Sequence, residues 1–344
     1  MAASLLLLTL VPRGAAAPRV DVVAAGLEVP WALAFAPDGR LFITERPGRI
    51  RVVRDGRLAP APVASLNVLS RGEGGLMGLA LDPAFAETRR LYVCYTAGKA
   101  GRTINRLVVL TLLEGQAPAE RVLFDNMPGA GNHDGCRVKF GPDGKLYVTM
   151  GDAAQPPLAQ DRESPAGKIL RLNTDGSVPA DNPFPGSRVY SMGHRNPQGL
   201  AWDQAGRLWS SEHGPSGLPC CHDEINLIHP GKNYGWPTAY GISDDKRFVD
   251  PVAESGRFTT WAPSGMAVLG DELFVTALRG QRLLRFRIQA DGGLAAGPAL
   301  FEGTYGRLRE AIVGPDGALY VATNNRDGRG SPAPDDDRIL RVVP

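Results

Sequence analysis

Hydrophobic and polar positions alternate in short runs along almost the whole chain, and the runs return at a regular interval. One unit consists of an apolar pair, a turn of the Pro-Asp-Gly kind, and a strand with an aromatic near its middle. It reads FAPDGRLF over 35–42, FGPDGKLY over 140–147, AWDQAGRLW over 201–209 and VGPDGALY over 313–320. Weaker forms are LDPAF over 81–85 with LYV over 91–93, and VLGDELF over 268–274. Roughly six copies, spaced by about 45 to 65 residues, match the period of propeller blades.

Asp-Gly between two apolar runs favours a hairpin, because glycine accepts positive φ and aspartate tolerates it. Each copy therefore predicts two antiparallel strands. Most copies are followed by a further alternating run, at 49–53, 168–172, 224–228, 282–286 and 338–342. Period two predicts strands with one wet face, suited to the outer part of a blade. No long stretch has helical periodicity. The fold expected is all-β, a six-bladed β-propeller forming a single domain over 18–344. The strands at 20–24 and 339–343 would share one blade and close the ring, leaving no exposed sheet edge at the seam.

Composition adds to this picture without changing it. A chain of 344 residues with 42 Gly and 29 Pro fits many short strands joined by tight turns. A net charge of +2 gives no electrostatic footprint for nucleic acid. Residues 1–17 hold an apolar run over 5–11 followed by alanines, the form of an export signal, although no Lys or Arg precedes the run. Export to the periplasm or beyond is expected, with no stable membrane insertion. The cysteines, Cys94, Cys136, Cys220 and Cys221, allow three full pairings, and the sequence chooses none of them.

Function is expected on the loops between repeats, since the blades only position them. Those at 70–78, 128–137, 151–167, 193–199 and 212–223 are longer than a hairpin needs and rich in polar groups. His133, in the run GNHDG, has an unperturbed pKa near neutrality and suits proton abstraction from a hydroxyl. Asp152, at the end of the next strand, is placed to stand behind the imidazole. Arg195 and Asn196 combine a guanidinium fork with an amide, and Arg279, Arg307 and Arg309 add cations for one anionic ligand. Gly214 and Pro215 offer successive carbonyls to a hard cation such as calcium, and Glu224 and Tyr234 flank a turn that could serve a second one. For each of these the plainer alternative is a solvated or purely structural residue.

The ordered string GHRNPQGL, EHGP, DEINLI and NYGW, running from 193 to 236, resembles the soluble quinoprotein aldose sugar dehydrogenases, which depend on pyrroloquinoline quinone (PQQ). The resemblance covers nearly the whole chain after the leader. It implies that His133 is the general base oriented by Asp152, that Arg195 and Asn196 lie at the quinone, and that Arg307 and Arg309 hold PQQ carboxylates. Gly214 and Pro215 would bind the calcium beside PQQ, and Glu224 and Tyr234 a structural calcium. Glu73 and Arg279 stand where better-known members carry Gln and Lys at the cofactor. The reaction implied is hydride transfer from C1 of an aldose, giving a lactone, with electrons passed to an external acceptor and the protein a monomer or weak dimer. Shortened loops favour a broad aldose range over strict glucose specificity. Two other classes fit a propeller: a calcium-dependent lactonase, and a non-catalytic binding module.

Overall fold

The computed structural model describes residues 17–217 and 220–344, so the leader lies outside the described residues apart from Ala17. Six antiparallel sheets follow one another around a ring. The first blade is built from Pro30–Phe35, Leu41–Glu45, Arg49–Arg54 and Arg57–Leu58, with Ala64–Ser65 also pairing on the third of these. The next four each run through four consecutive strands, ending with Leu294–Ala296. The sixth takes three strands from the C-terminal end and one from the start: Arg19–Ala24 pairs antiparallel with Ile339–Val343, with Val20 opposite Val342. The ring closes as the repeat predicted. Among the described residues no helix is long and apolar enough to cross a membrane.

The repeat has a physical basis in side-chain contacts. In the copies beginning at Phe140 and Val313, the turn aspartate accepts a hydrogen bond from the aromatic of the following strand: Tyr147 donates to Asp143 (3.0 Å) and Tyr320 to Asp316 (3.2 Å). Trp209 donates to Asp203 (3.0 Å) and Tyr92 to Asp82 (3.2 Å) in the variant copies. These rings then pack edge-on against the next blade: Tyr320 on Phe35, Tyr92 on Phe140, and Tyr147 on Trp202, with centroids 4.8, 5.2 and 5.1 Å apart. Turn, strand and blade-to-blade packing are thus fixed by one pair of residues. In the copy beginning at Leu81, a four-residue helix, Phe85–Thr88, replaces the tight turn.

The expectation of a wet face on the third strands does not hold everywhere. Lys168–Leu172 is buried at every position and Glu224–Ile228 at all but one. Neighbouring blades cover both faces, and the polar side chains are matched internally. Lys168 donates to the carbonyls of Leu158, Ala159 and Ala166, and Arg171 binds Asp143, Asp181 and Asn182. Alternation in these strands reports paired polar groups, not solvent.

Candidate active site

In an antiparallel blade, the connection entering the first strand and the connection leaving the second emerge at the same end. All the long polar loops fall on those two connections, so the second, third and fourth blades deliver them to one rim. They enclose an axial cavity of about 320 Å³. Glu73, His133, Arg195, Gly214, Pro215, Arg279, Arg307 and Arg309 all line it. Asp152 and Asn196 stand directly behind its wall, and Glu224 and Tyr234 lie outside it.

His133 is held from three sides. Its Nδ1 is 2.8 Å from Asp152 Oδ1, and its main-chain N–H donates to Glu73 Oε2 at 3.0 Å. A disulfide between Cys94 and Cys136 fastens the same loop to the second blade. His133 has φ +58°, and Gly151 is required beside it, because a Cβ there would collide with the His133 carbonyl. Asp152, fully buried, also accepts from Ala154 N (2.8 Å) and from the Trp236 indole N–H (2.8 Å). With Asp152 accepting at Nδ1, the ring proton is held there and Nε2 is left as the free ring nitrogen.

The cavity has a strong positive bias. Arg307 is neutralised by Asp327 (2.7 Å), and Arg329 by Glu73 (2.8 Å). Among the described residues Arg309 has no carboxylate partner. It is buried against the Trp31 ring (5.6 Å), donates to Gln198 Oε1 (2.9 Å) and Ser264 Oγ (3.3 Å), and its Nε has no partner. Burial, reinforced by Arg307 and Arg137, pushes its pKa down to about 9. Arg195 lies over the Trp236 ring (5.4 Å), and burial lowers its pKa as well. Burial opposes ionisation of Glu73 but is outweighed by His213, Arg329 and the His133 amide, so its carboxyl falls to about 2. Asp134 goes the other way, raised by burial to about 7, with one carboxylate oxygen unpartnered.

Gly214 and Pro215 present carbonyls on which no hydrogen bond from the described residues ends. Their turn is fixed by Asp223, which accepts from Gly214 N (2.9 Å). Asn196, expected to accompany Arg195 at the cofactor, is fully buried behind it: its side-chain oxygen accepts from Gly135 N (3.2 Å) and braces the His133 loop, while its Nδ2 has no partner among the described residues. Glu224 and Tyr234, expected at a common cation, use their side chains separately. Glu224 accepts from Gly241 N and Asn226, whereas the Tyr234 hydroxyl bridges Leu227 O and His229 N.

Sequence reasoning missed the cavity floor. Apart from Arg309, which was expected, it is formed by the second residue of the innermost strand in several blades: Trp31, Met77 and Gln198, with Ser264 in contact with Arg309. Beneath it Arg137, fully buried, pairs with Glu310 and stacks on Trp31 at 4.0 Å. His213, Asp223, Arg329 and the bonded pair Cys220–Cys221 also line the cavity. Aligning the repeats on their first strands would have exposed the floor positions.

The sequence model of the glucose / sorbosone dehydrogenase family matches residues 27–340. The chain belongs to that family. Aldose sugar dehydrogenase YliI of Escherichia coli K12 is 36% identical over 346 residues, covering 90% of this chain and 91% of its own. The quinoprotein glucose dehydrogenase B of Acinetobacter calcoaceticus is 34% identical over 264 residues, covering 66% of this chain and 54% of its own. Among solved structures, the PQQ-bound aldose sugar dehydrogenase of Streptomyces coelicolor superposes with a TM-score of 0.86 at 40% identity, covering 94% of this chain and 98% of its own. Family membership accounts for the shared architecture.

Proposed function

We propose that this sugar dehydrogenase oxidises aldoses at C1 to the lactone, with PQQ and calcium held in the axial cavity. The observation that carries the reading is that an oriented imidazole, His133, shares one cavity with a buried guanidinium, Arg309, that no protein carboxylate neutralises. A buried unpaired charge is costly, and a carboxylate-bearing cofactor would relieve it. The donor set fits such a group. Arg307 and Arg309 would hold its carboxylates, Arg195 would face its quinone oxygens, and the free carbonyls of Gly214 and Pro215 suit a hard cation.

When bound, PQQ supplies the two-electron acceptor for the C1 hydride and calcium polarises it. His133 takes the anomeric hydroxyl proton at Nε2 as the carbonyl of the lactone forms. Asp152 stabilises the imidazolium that results and keeps the ring in place. Arg195 contributes a fixed positive charge where negative charge develops. Glu73 holds the His133 main chain from the opposite side. Electrons then leave to an external acceptor, and the two disulfides agree with a protein exported to an oxidising compartment.

His133→Ala tests the assignment in protein reconstituted with PQQ and calcium. Dye reduction with an aldose falls by about a hundredfold or more, while PQQ affinity measured by titration stays within about twofold. Undiminished turnover in this variant refutes the base assignment.

A further inference from the structure

The indole of Trp236 touches both halves of the chemistry without lining the cavity. Its N–H donates to Asp152 Oδ2 (2.8 Å), the oxygen that His133 does not use. Its ring lies under the Arg195 guanidinium at 5.4 Å. The main chain joins the same three parts: Asp152 N donates to Arg195 O (2.8 Å), and Trp236 N donates to Gly193 O (2.9 Å). Gln160 Nε2 fixes the Trp236 carbonyl at 2.6 Å, so the indole is delivered from a braced turn.

We propose that Trp236 is a positioning residue that sets the basicity of His133 through Asp152 and the orientation of Arg195 through its ring. This rests on the reading of His133 as the base.

The physical argument has two parts. A carboxylate that shares its charge with an indole N–H pulls less strongly on an adjacent imidazolium, so the indole keeps His133 less basic than Asp152 alone would. The indole also prevents Asp152 from rotating its two oxygens, which preserves the Nδ1–H tautomer. A cation over a Trp face is held in a defined plane, and losing the face costs a guanidinium its fixed direction. Glu73, Asp134, Arg195, Arg329 and His213 are the other charged or titratable groups around this part of the cavity, and all remain when Trp236 is changed.

Two variants separate the two contacts. Trp236→Phe keeps a ring and removes the N–H. In reconstituted protein kcat falls about tenfold or more, the size of one lost hydrogen bond to an ionised group. Sugar KM stays within about twofold, and the acid limb of the kcat/KM profile moves to higher pH. Trp236→Leu removes the ring as well, and PQQ affinity, measured by calorimetric titration of the apoprotein, falls by about tenfold relative to Trp236→Phe. A third measurement does not depend on turnover. In apoprotein labelled with nitrogen-15, Asp152→Asn shifts the indole resonance that is missing in Trp236→Phe, and the His133 imidazole of Trp236→Phe titrates at higher pH than that of the unmodified protein.

An unmoved acid limb together with an unmoved His133 titration overturns the proposal, as does a Trp236 resonance indifferent to Asp152→Asn. If His133→Ala retains turnover while these resonances still move, the base reading has failed and the indole contact stands. If His133→Ala is inactive and Trp236→Phe behaves as unmodified protein, the base reading stands and the proposal fails.

Discussion

Arg309→Met should make the apoprotein more stable and the cofactor complex weaker. Methionine approximates the length of the arginine stem and carries no charge. A fall in the Arg309 pKa from the usual guanidinium value to about 9 sets the cost of its buried charge at about 5 kcal/mol, an upper limit. Against this, Arg309 donates to Gln198, Ser264 and Asn324 at 2.9, 3.3 and 3.4 Å, bonds worth about 1 kcal/mol each. The remainder is a gain of at most about 2 kcal/mol for the variant, or at most about 3 °C in Tm for a chain of this size. Loss of a desolvated charge facing a ligand carboxylate costs at least about 2 kcal/mol, so PQQ affinity falls by at least about thirtyfold. Differential scanning fluorimetry of the apoprotein and titration with PQQ in calcium buffer measure both quantities. A variant less stable than the parent, or one binding PQQ equally well, would show that Arg309 is an ordinary core residue and not a held-open anion site.

Two further changes probe the charges around His133. Glu73→Gln leaves an acceptor for the His133 N–H but frees Arg329, so binding of anionic PQQ tightens by about fivefold at low salt and the gain fades as ionic strength rises; weaker binding would contradict the electrostatic reading. Asp134 has a folded pKa of about 7, well above the usual carboxyl range, so from about pH 4 to about pH 7 the unfolded chain releases this proton first. Stability is therefore lost as pH rises through that window, by at most about 4 kcal/mol, and is flat beyond it. Asp134→Asn removes this loss, so the Tm difference between variant and parent grows in favour of the variant from pH 4 to pH 7; a difference independent of pH contradicts the assignment.

The blades were legible because each repeat carries its own turn, aromatic and apolar pair within about ten residues. The rim was legible for a related reason: His133, Arg195 and Gly214 lie in loops whose excess length and polarity stand out against a regular background. Trp31, Gln198 and Arg137 were not, since each sits in or beside an ordinary inner strand, and only the assembled ring shows that Trp31 and Gln198 meet Arg309 and that Arg137 stacks on Trp31. Arg329 and Glu73 are 256 residues apart and meet only because loops from two non-adjacent blades reach the same axial rim. The buried polar side chains of Lys168–Leu172 misled a reading based on alternation, because period two cannot tell water from an internal partner. Asn196 sits in a loop that suggested ligand contact, and the assembled ring adds that its side-chain oxygen braces the neighbouring His133 loop.

The sheet joining Arg19–Ala24 to Ile339–Val343 also governs when the molecule can be made. Five blades are complete once their own residues have been synthesised, but the wall carrying Arg307 and Arg309 needs the final strands, which dock against a segment produced at the outset. A growing polypeptide therefore has no competent pocket until its tail arrives, and cargo loading must come after synthesis and any translocation are over.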